Sequence, residues 1–243
     1  MTTASAARFA SAAMAERYAH ARPAVHPHVL ADALAGRTGG RALDVGCGAG
    51  LSTGPLVGRA AAVLGIDPFP AMVTAARALV PGAAFAVGRA EGLPVADGSV
   101  DLITAAGALD FADLEAFSAE AVRVLAPGGA VLAYDFSAGR SLADRPGLER
   151  WYAAFRDRWD SPRPVFDLRP ALAAGSLLRL DRTTPFTVDL AMSRDAYLAA
   201  VLSDAPDPDD AALVSWCRDT LPAAFGPEEQ VRYQGWTAWL HPA

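Results

Sequence analysis

The stretch LDVGCGAG, residues 43–50, decides the fold class of this chain. Apolar residues lead into Gly46, Gly48 and Gly50, and this order predicts a strand, a tight turn and a helix from about Leu51. Glycine suits such a turn because it adopts left-handed backbone angles and lets a ligand approach the main chain closely. A plain strand–turn–helix connection is the alternative interpretation. We therefore expect an α/β unit, with a ligand at the turn if the neighbouring segments support one.

On the C-terminal side of this stretch, short apolar runs alternate with helical segments, which is typical of a parallel sheet built from βαβ units. Predicted strands lie at 41–46, 61–67, 83–88, 100–107 and 130–136, and predicted helices at 70–79 and 113–125, the latter closed by a turn at 126–129.

Beyond residue 136 the regular alternation ends, and Pro and Arg become frequent. The elements predicted there are an aromatic helix at 149–159, a short helix at 167–175, a strand at 184–190, a helix capped by Ser193, a helix that starts in the stretch 204–210, and a last strand at 229–240.

Composition and charge exclude several classes of protein. No apolar run approaches the ~18 residues that a membrane span requires, and the N-terminal stretch 1–23 lacks the apolar segment of a secretory signal. The formal charge is −6 and the 21 basic residues, all Arg, form no cluster, so we expect no nucleic-acid partner. Cys47 and Cys217 match no metal-binding spacing, and we interpret them as free thiols in a reducing, bacterial cytoplasm.

The spacing of the glycines separates two kinds of ligand. Dinucleotide-binding loops run G-x-G-x-x-G, whereas here the order is G-x-G-x-G and Asp44 lies inside the strand. A carboxylate at that place repels a pyrophosphate but can orient a cationic amino-acid group. A chain without Lys also lacks the Tyr-x-x-x-Lys pair of many nicotinamide-dependent oxidoreductases, so we disfavour that class.

The loop resembles the first motif of class I S-adenosylmethionine-dependent methyltransferases, and the resemblance extends across about residues 14–136. It implies a Rossmann-like fold with a mostly parallel seven-stranded sheet, helices on both faces and a small helical cap. S-adenosyl-L-methionine is then the cofactor and S-adenosyl-L-homocysteine the product. Asp67, at the end of the second predicted strand, matches the position that holds both ribose hydroxyls, although a helix cap before Pro68 is the other interpretation.

Further contacts follow from the same resemblance. Arg22 and Tyr18 are expected to reach the cofactor carboxylate by charge and by hydroxyl, unless they are a solvated arginine and a partly buried tyrosine. Arg89 stands where many relatives have an acid, and arginine cannot accept a hydrogen bond from adenine. Met72 is equally explained by packing. The full set of expected cofactor contacts is Tyr18, Arg22, Asp44, Gly46, Cys47, Gly48, Gly50, Asp67, Pro68, Met72, Arg89, Ala90, Ala105 and Ala106.

The acceptor side is less clearly marked. In the subfamily of ubiquinone/menaquinone-biosynthesis and trans-aconitate methyltransferases, the end of the fourth strand often carries a His and an aromatic residue; here Asp110 and Phe111 follow it. Trp151 and Phe155 form a stripe with Trp159 that is either core or pocket wall. The expected acceptor pocket comprises Asp110, Phe111, Trp151, Tyr152 and Phe155, and the weak catalytic candidates are Asp110, Asp135, His26 and His28, with no metal site predicted.

These features predict one domain at 1–243, acting by in-line methyl transfer to a small-molecule acceptor. Its parts are N-terminal cover helices at 1–40, a cofactor-binding core at 41–136, a cap insertion and helix at 137–182, and the last two strands with a helical insertion at 183–243. A regulatory or accessory protein that binds the cofactor without methylating is the alternative. We expect a monomer or homodimer in the cytoplasm without membrane contact.

Overall fold

The computed structural model describes residues 8–159, 168, 176–205 and 207–243. The short helix expected at 167–175 lies, apart from Leu168, outside the described residues. The described helices are α1 (Ala12–Ala21), α2 (Val25–Ala33), α3 (Pro70–Leu79), α4 (Leu114–Val124), α5 (Leu148–Trp159), α6 (Arg194–Asp204) and α7 (Ala211–Thr220). The strands are β1 (Arg41–Val45), β2 (Ala62–Asp67), β3 (Ala84–Val87), β4 (Val100–Ala106), β5 (Leu125–Phe136), β6 (Ser141–Leu142), β7 (Leu178–Ser193) and β8 (Glu228–Pro242).

All eight strands join one sheet. β3, β2, β1, β4 and β5 follow one another in parallel, and β8 lies antiparallel between β5 and β7. The two-residue β6 also pairs with β8 and adds one strand to the seven that were expected. The expectation of a mostly parallel α/β sheet is confirmed.

Successive residues of a strand point to opposite faces, and each face of this sheet packs on a separate apolar core. Leu132 and Tyr134 of β5 belong to the core that contains α2, α5, α6 and α7, whereas Val131 and Ala133 belong to the core beneath α4. Helices therefore cover both faces, as predicted. None of the helices in the described ranges combines the length and apolar character needed to cross a membrane.

The helix predicted from Leu51 does not form, and this prediction is wrong. Residues 51–53 are a turn, and Gly54–Leu56 is a single 3-10 turn. Ser52 and Thr53 direct their hydroxyls to the Asp44 carboxylate, and Gly54 and Pro55 disfavour an α-helix that continues past them.

Two strand boundaries also differ from the predictions. The turn expected at 126–129 is a bulge inside β5, because Leu125 pairs with Val100 while Ala130 already pairs with Leu102. β7 starts at Leu178 and not at 184, so the strand begins inside the segment expected as the cap insertion. The predicted helix caps Asp113 and Ser193 accept backbone hydrogen bonds from the first turns of their helices. Asp210 does the same for α7, at the end of the stretch 204–210 in which a helix start was predicted.

Candidate functional site

The glycine-rich loop lies at the carboxyl end of β1, where the central strands of the parallel sheet end. Gly46, Gly48 and Gly50 have φ of 69°, 51° and 88°. A Cβ on Gly46 would lie 2.4 Å from the Cβ of Ala108, so only glycine fits there. At Gly50 a Cβ would lie 3.2 Å from side-chain atoms of α3, which means that this glycine serves packing against the helix.

Asp44 organises the loop from beneath. Its carboxylate is fully buried and accepts hydrogen bonds of 2.7 Å from the hydroxyls of Ser52, Thr53 and Thr104. Burial raises the pKa of Asp44, and the three hydroxyl donors oppose that rise. Asp44 ties the loop to β4 and lines neither cavity, so its expected role toward a cationic ligand group, directly or through water, stays a prediction.

Asp67 connects the same loop to the start of α3. One carboxylate oxygen accepts a hydrogen bond from Gly48 N at 3.0 Å, and the other accepts one from Phe69 N at 2.9 Å. Asp67 therefore bonds the backbone just before α3, but α3 has no side-chain cap, so the interpretation of Asp67 as a helix cap is wrong. Each oxygen keeps a second lone pair that a ligand hydroxyl can use. Burial raises the pKa of Asp67, and the two backbone donors lower it.

A first cavity of about 290 Å³ opens between this loop, the ends of β2 and β4, and α1. The structure brings most of the expected cofactor contacts together here. At Arg89 the guanidinium lies 3.3 Å from Glu91 and is largely exposed. The expected residues that line the cavity are Tyr18, Gly46, Gly48, Asp67, Pro68, Met72, Arg89, Ala90 and Ala106.

Three expected contacts in the core lie elsewhere. Cys47 packs with Val73, Ala76 and Phe85 under α3, and burial raises the pKa of its thiol. Ala105 points into the core beneath α4, since its neighbour Ala106 takes the cavity side of the strand. Like Gly50, these residues support the cavity without lining it.

A second cavity of about 480 Å³ adjoins the first. It lies among the ends of α1 and β5, helices α5 and α6, and β8. Phe9, Tyr18, Ala106, Gly107 and Phe111 line both cavities, so the two spaces meet at these residues. Of the residues predicted for catalysis or acceptor binding, His26, Asp110, Phe111, Asp135, Tyr152 and Phe155 line the second cavity.

Two of those predictions do not hold. Trp151 is 7% exposed, stacks on Phe155 and Trp216, and donates a hydrogen bond of 2.8 Å from Nε1 to Thr220, so it supports the wall from behind. His28 is exposed on α2 and lines neither cavity, because residues two apart on a helix point in different directions.

Arg22 lies in the second cavity and not in the first. Its guanidinium is 3.3 Å from Asp204 and packs 4.8 Å above the centre of the Tyr18 ring. The guanidinium that was expected to bind the cofactor carboxylate is thus paired with Asp204 of α6. This ion pair joins α1 to the helices at the other side of the cavity.

Two groups on the cavity wall bear on proton chemistry. His26 Nδ1 lies 2.9 Å from the hydroxyl of Tyr134; burial, and then the charge of Arg22, lowers the pKa of His26 to about 4. Asp135 lies at the junction of the two cavities, because a Cβ on Gly107 would be 3.2 Å from its Oδ1. Burial raises the pKa of Asp135, and a hydrogen bond from Phe136 N lowers it.

The sequence reasoning did not identify Phe9, Tyr134 or Asp204. The backbone at 105–107 was expected to border the cofactor, and Gly107, with a φ of 57°, lines both cavities. Tyr134 and Asp204 come together with His26 and Arg22 only through the tertiary fold. Within the described ranges, no group of three His, Cys, Asp or Glu side chains is arranged to hold a metal ion.

With this geometry established, comparison with known proteins identifies the loop and its strands. The family model described as "Methyltransferase domain" matches residues 43–133. This match covers the strands, helices and loops from Leu43 to Ala133, less than half of the chain.

Two relatives that match part of the chain are bacterial proteins. An uncharacterized methyltransferase of Mycobacterium tuberculosis is 38% identical over 112 residues, which is 46% of this chain and 46% of that protein. A demethylmenaquinone methyltransferase of Beutenbergia cavernae is 36% identical over 107 residues, 44% of this chain and 45% of that protein. The matches span less than half the length of either relative.

A solved structure extends the likeness to the whole fold. A protein from Anaeromyxobacter dehalogenans, described provisionally as a type II methyltransferase, superposes with a TM-score of 0.65 at 26% identity. The superposition covers 90% of this chain and 95% of that one. The segment 43–133 that matches the methyltransferase model includes the glycine loop and Asp67, whereas His26, Asp135, α5 and α6 lie outside it.

Proposed function

We propose that this chain is an S-adenosylmethionine-dependent methyltransferase that methylates a small molecule held in the second cavity. The observation that carries the proposal is the junction of the two cavities at Gly107 and Tyr18. One cavity has the motif residues of a methyltransferase, and the other has a wall of aromatic and charged side chains. A methyl group passes only between two molecules in direct contact, and the junction supplies such a place.

The first cavity fits S-adenosylmethionine by its donor set. Asp67 offers carboxylate lone pairs to a ribose diol, Met72 and Phe69 offer apolar surface to a flat base, and the backbone at Arg89 and Ala90 borders the same space. Gly46 lines the same space, and a side chain at this position would collide with Ala108. We propose that these residues hold the cofactor.

When bound, S-adenosylmethionine supplies a methyl group on a positively charged sulfur, which a nucleophile attacks in line while the C–S electron pair remains on sulfur. The chain's own residues have three tasks. Phe9 and Tyr18 of the N-terminal segment cover the junction and exclude water. Gly107 allows close contact between the two ligands. We propose that Asp135, beside Gly107, takes a proton from an acceptor that carries O–H or N–H.

The acceptor and the setting belong to the same proposal. A cavity of about 480 Å³ suits a metabolite and not a folded macromolecule or duplex, and the formal charge of −6 disfavours nucleic acid. We further propose a cytoplasmic protein that acts as a monomer or homodimer. The relatives are named as methyltransferases, and none of these observations favours the alternative of a binding protein without activity.

Calorimetry with S-adenosylhomocysteine tests the proposal. We expect binding by the purified protein and no binding of NAD(H). Asp67→Asn should weaken the affinity more than tenfold, because a charge-assisted hydrogen bond typically contributes about 1.5–3 kcal/mol. Asp101→Asn is the matched control, since Asp101 is exposed at the opposite end of β4 and bonds Arg41. Tight NAD(H) binding without S-adenosylhomocysteine binding would overturn the proposal.

A further inference from the structure

His26 is the one histidine among the described residues that is held against a buried hydroxyl. The ring packs edge-on against Tyr134 and Phe136, with centroids 5.8 Å and 5.3 Å away, and its Nδ1 lies 2.9 Å from Tyr134 Oη. The ring is partly exposed and lines the second cavity. His26 is thus fixed in orientation, with one edge on Tyr134 and the other toward the cavity.

The burial of Tyr134 decides which nitrogen carries the proton. Tyr134 is 1% exposed, and among the described residues His26 Nδ1 is the only hydrogen-bond partner of its hydroxyl. If His26 donated from Nδ1, the buried O–H proton would have no acceptor, which is unfavourable. The Tyr134 hydroxyl therefore donates to Nδ1, and the neutral ring carries its proton on Nε2.

We propose that His26 donates a hydrogen bond from Nε2 to an oxygen of the methyl acceptor, with Tyr134 as the residue that fixes this tautomer. The acceptor class is then a small molecule that presents a carbonyl, carboxylate or other lone-pair oxygen to this edge of the cavity. No described residue lies within hydrogen-bonding distance of Nε2, so the donor is available to a ligand. This inference rests on the proposed function.

The surroundings keep the donor neutral. The cation of Arg22 at the end of α1 opposes protonation of the ring. The other titratable groups that line this cavity are Tyr18, Asp110, Asp135, Arg140, Tyr152, Arg156, Tyr197, Asp204 and Tyr233. Asp204 pairs with Arg22, so the positive charge stays in place.

The tautomer is tested without any acceptor. In protein labelled with ¹⁵N-histidine, long-range ¹H–¹⁵N spectra resolve the four histidines, and His26→Asn and His28→Asn assign two of them. At neutral pH we expect His26 to show an unprotonated Nδ1 and a protonated Nε2, with mixed tautomers in Tyr134→Phe. An Nδ1–H tautomer, or a doubly protonated ring, would overturn the inference.

Recognition is tested with two probes of the same shape. Acetophenone has a carbonyl oxygen where α-methylstyrene has a methylene group. In protein saturated with S-adenosylhomocysteine we expect acetophenone to bind about three- to tenfold more tightly, and the preference to disappear in His26→Phe but persist in His28→Asn. Equal affinities, or no binding of either probe, would overturn the role in recognition. Absence of S-adenosylhomocysteine binding would instead overturn the proposed function and leave the tautomer result intact.

Discussion

A side chain at Gly46 would prevent the glycine-rich loop from adopting its observed conformation. Gly46 combines a positive φ with a near neighbour, Ala108, whereas exposed Gly98 has a positive φ of 59° and no atom within 4 Å of the place that an alanine methyl group would take. The two glycines therefore separate the cost of backbone conformation from the cost of a clash.

Replacing each glycine by alanine measures these costs. Gly98→Ala should lower the free energy of unfolding by about 1–2 kcal/mol, the cost of a left-handed alanine. Gly46→Ala should cost about 1–3 kcal/mol more, because Ala108 must move, and should weaken binding of S-adenosylhomocysteine. Urea denaturation and calorimetry measure the two effects. Similar losses of stability in both variants would show that the contact with Ala108 relaxes freely.

The environment of His26 predicts a pH dependence of stability. The folded pKa is about 4 and the ordinary value is 6.5. Between these pH values the side chain of His26 is protonated in the unfolded chain and neutral in the folded chain. The free energy of unfolding therefore falls as the pH drops from about 6.5 toward 4. From pH 7 to 4.5, wild type should lose roughly 2–3 kcal/mol more than His26→Asn. His28→Asn should follow wild type, and parallel curves for His26→Asn and wild type would contradict the predicted shift.

At the scale of elements, the indole of Trp151 on α5 both hydrogen-bonds to and stacks on α7. Trp151 Nε1 donates to Thr220 Oγ1, whose own hydroxyl donates to Trp216 O four residues earlier at 2.7 Å. The Trp151 ring also stacks on Trp216 at 5.6 Å. The hydrogen bond from Trp151 to Thr220 supports the wall of the second cavity from outside. Breaking it should lower the free energy of unfolding.

A double-mutant cycle tests that connection. Thr220→Val leaves a buried indole N–H without an acceptor and should lower the free energy of unfolding by about 1–3 kcal/mol. Trp151→Phe removes the donor, so the double variant should cost less than the sum of the single ones. Thr74→Val is the control, because exposed Thr74 bonds Pro70 O in the same i−4 pattern without a tryptophan partner. Additive losses would mean that the hydrogen bond does not couple α5 to α7.

The elements were largely predictable because their signals are local. Pro70 starts α3, Asp113, Ser193 and Asp210 cap their helices, and the alternation at 184–190 identifies the centre of β7. The helix expected from Leu51 failed for two reasons, of which one, Gly54 followed by Pro55, is visible in the sequence. Its first residues follow the helical pattern, but their hydroxyls go to Asp44, one strand earlier.

The residues of the site were predictable to different degrees, because some come together through local structure and others only through the tertiary fold. The motif residues Gly46, Gly48 and Asp67 were predictable because one continuous βαβ unit brings them together. The second cavity depends on contacts between distant segments, such as Arg22 with Asp204. For the same reason, the periodic spacing of Trp151 and Phe155 identified a buried stripe but not which member reaches the cavity.

At the scale of the whole molecule, the two cavities predict the kind of assay that will detect activity. Labelled cofactor should transfer its methyl group to a component of a bacterial metabolite extract and not to RNA or protein, since the acceptor space is bounded by α1, α5 and α6. Chelator should change that transfer by less than about twofold, because Asp110 and Asp135 have no third ligand among the described residues. Loss of transfer with chelator, restored by magnesium, would contradict this prediction.

The position of β8 between β5 and β7 has a consequence for synthesis on the ribosome. β7 emerges first, yet every pairing that it makes within the described residues is with β8, which is made later. Until β8 arrives, a strand of 16 residues has both edges open, the state in which chains join wrong partners. Its charged residues Arg179, Asp181, Arg182 and Asp189 lie along that strand. Charges of this kind oppose edge-to-edge pairing, so they protect the nascent chain during the interval before β8 is available.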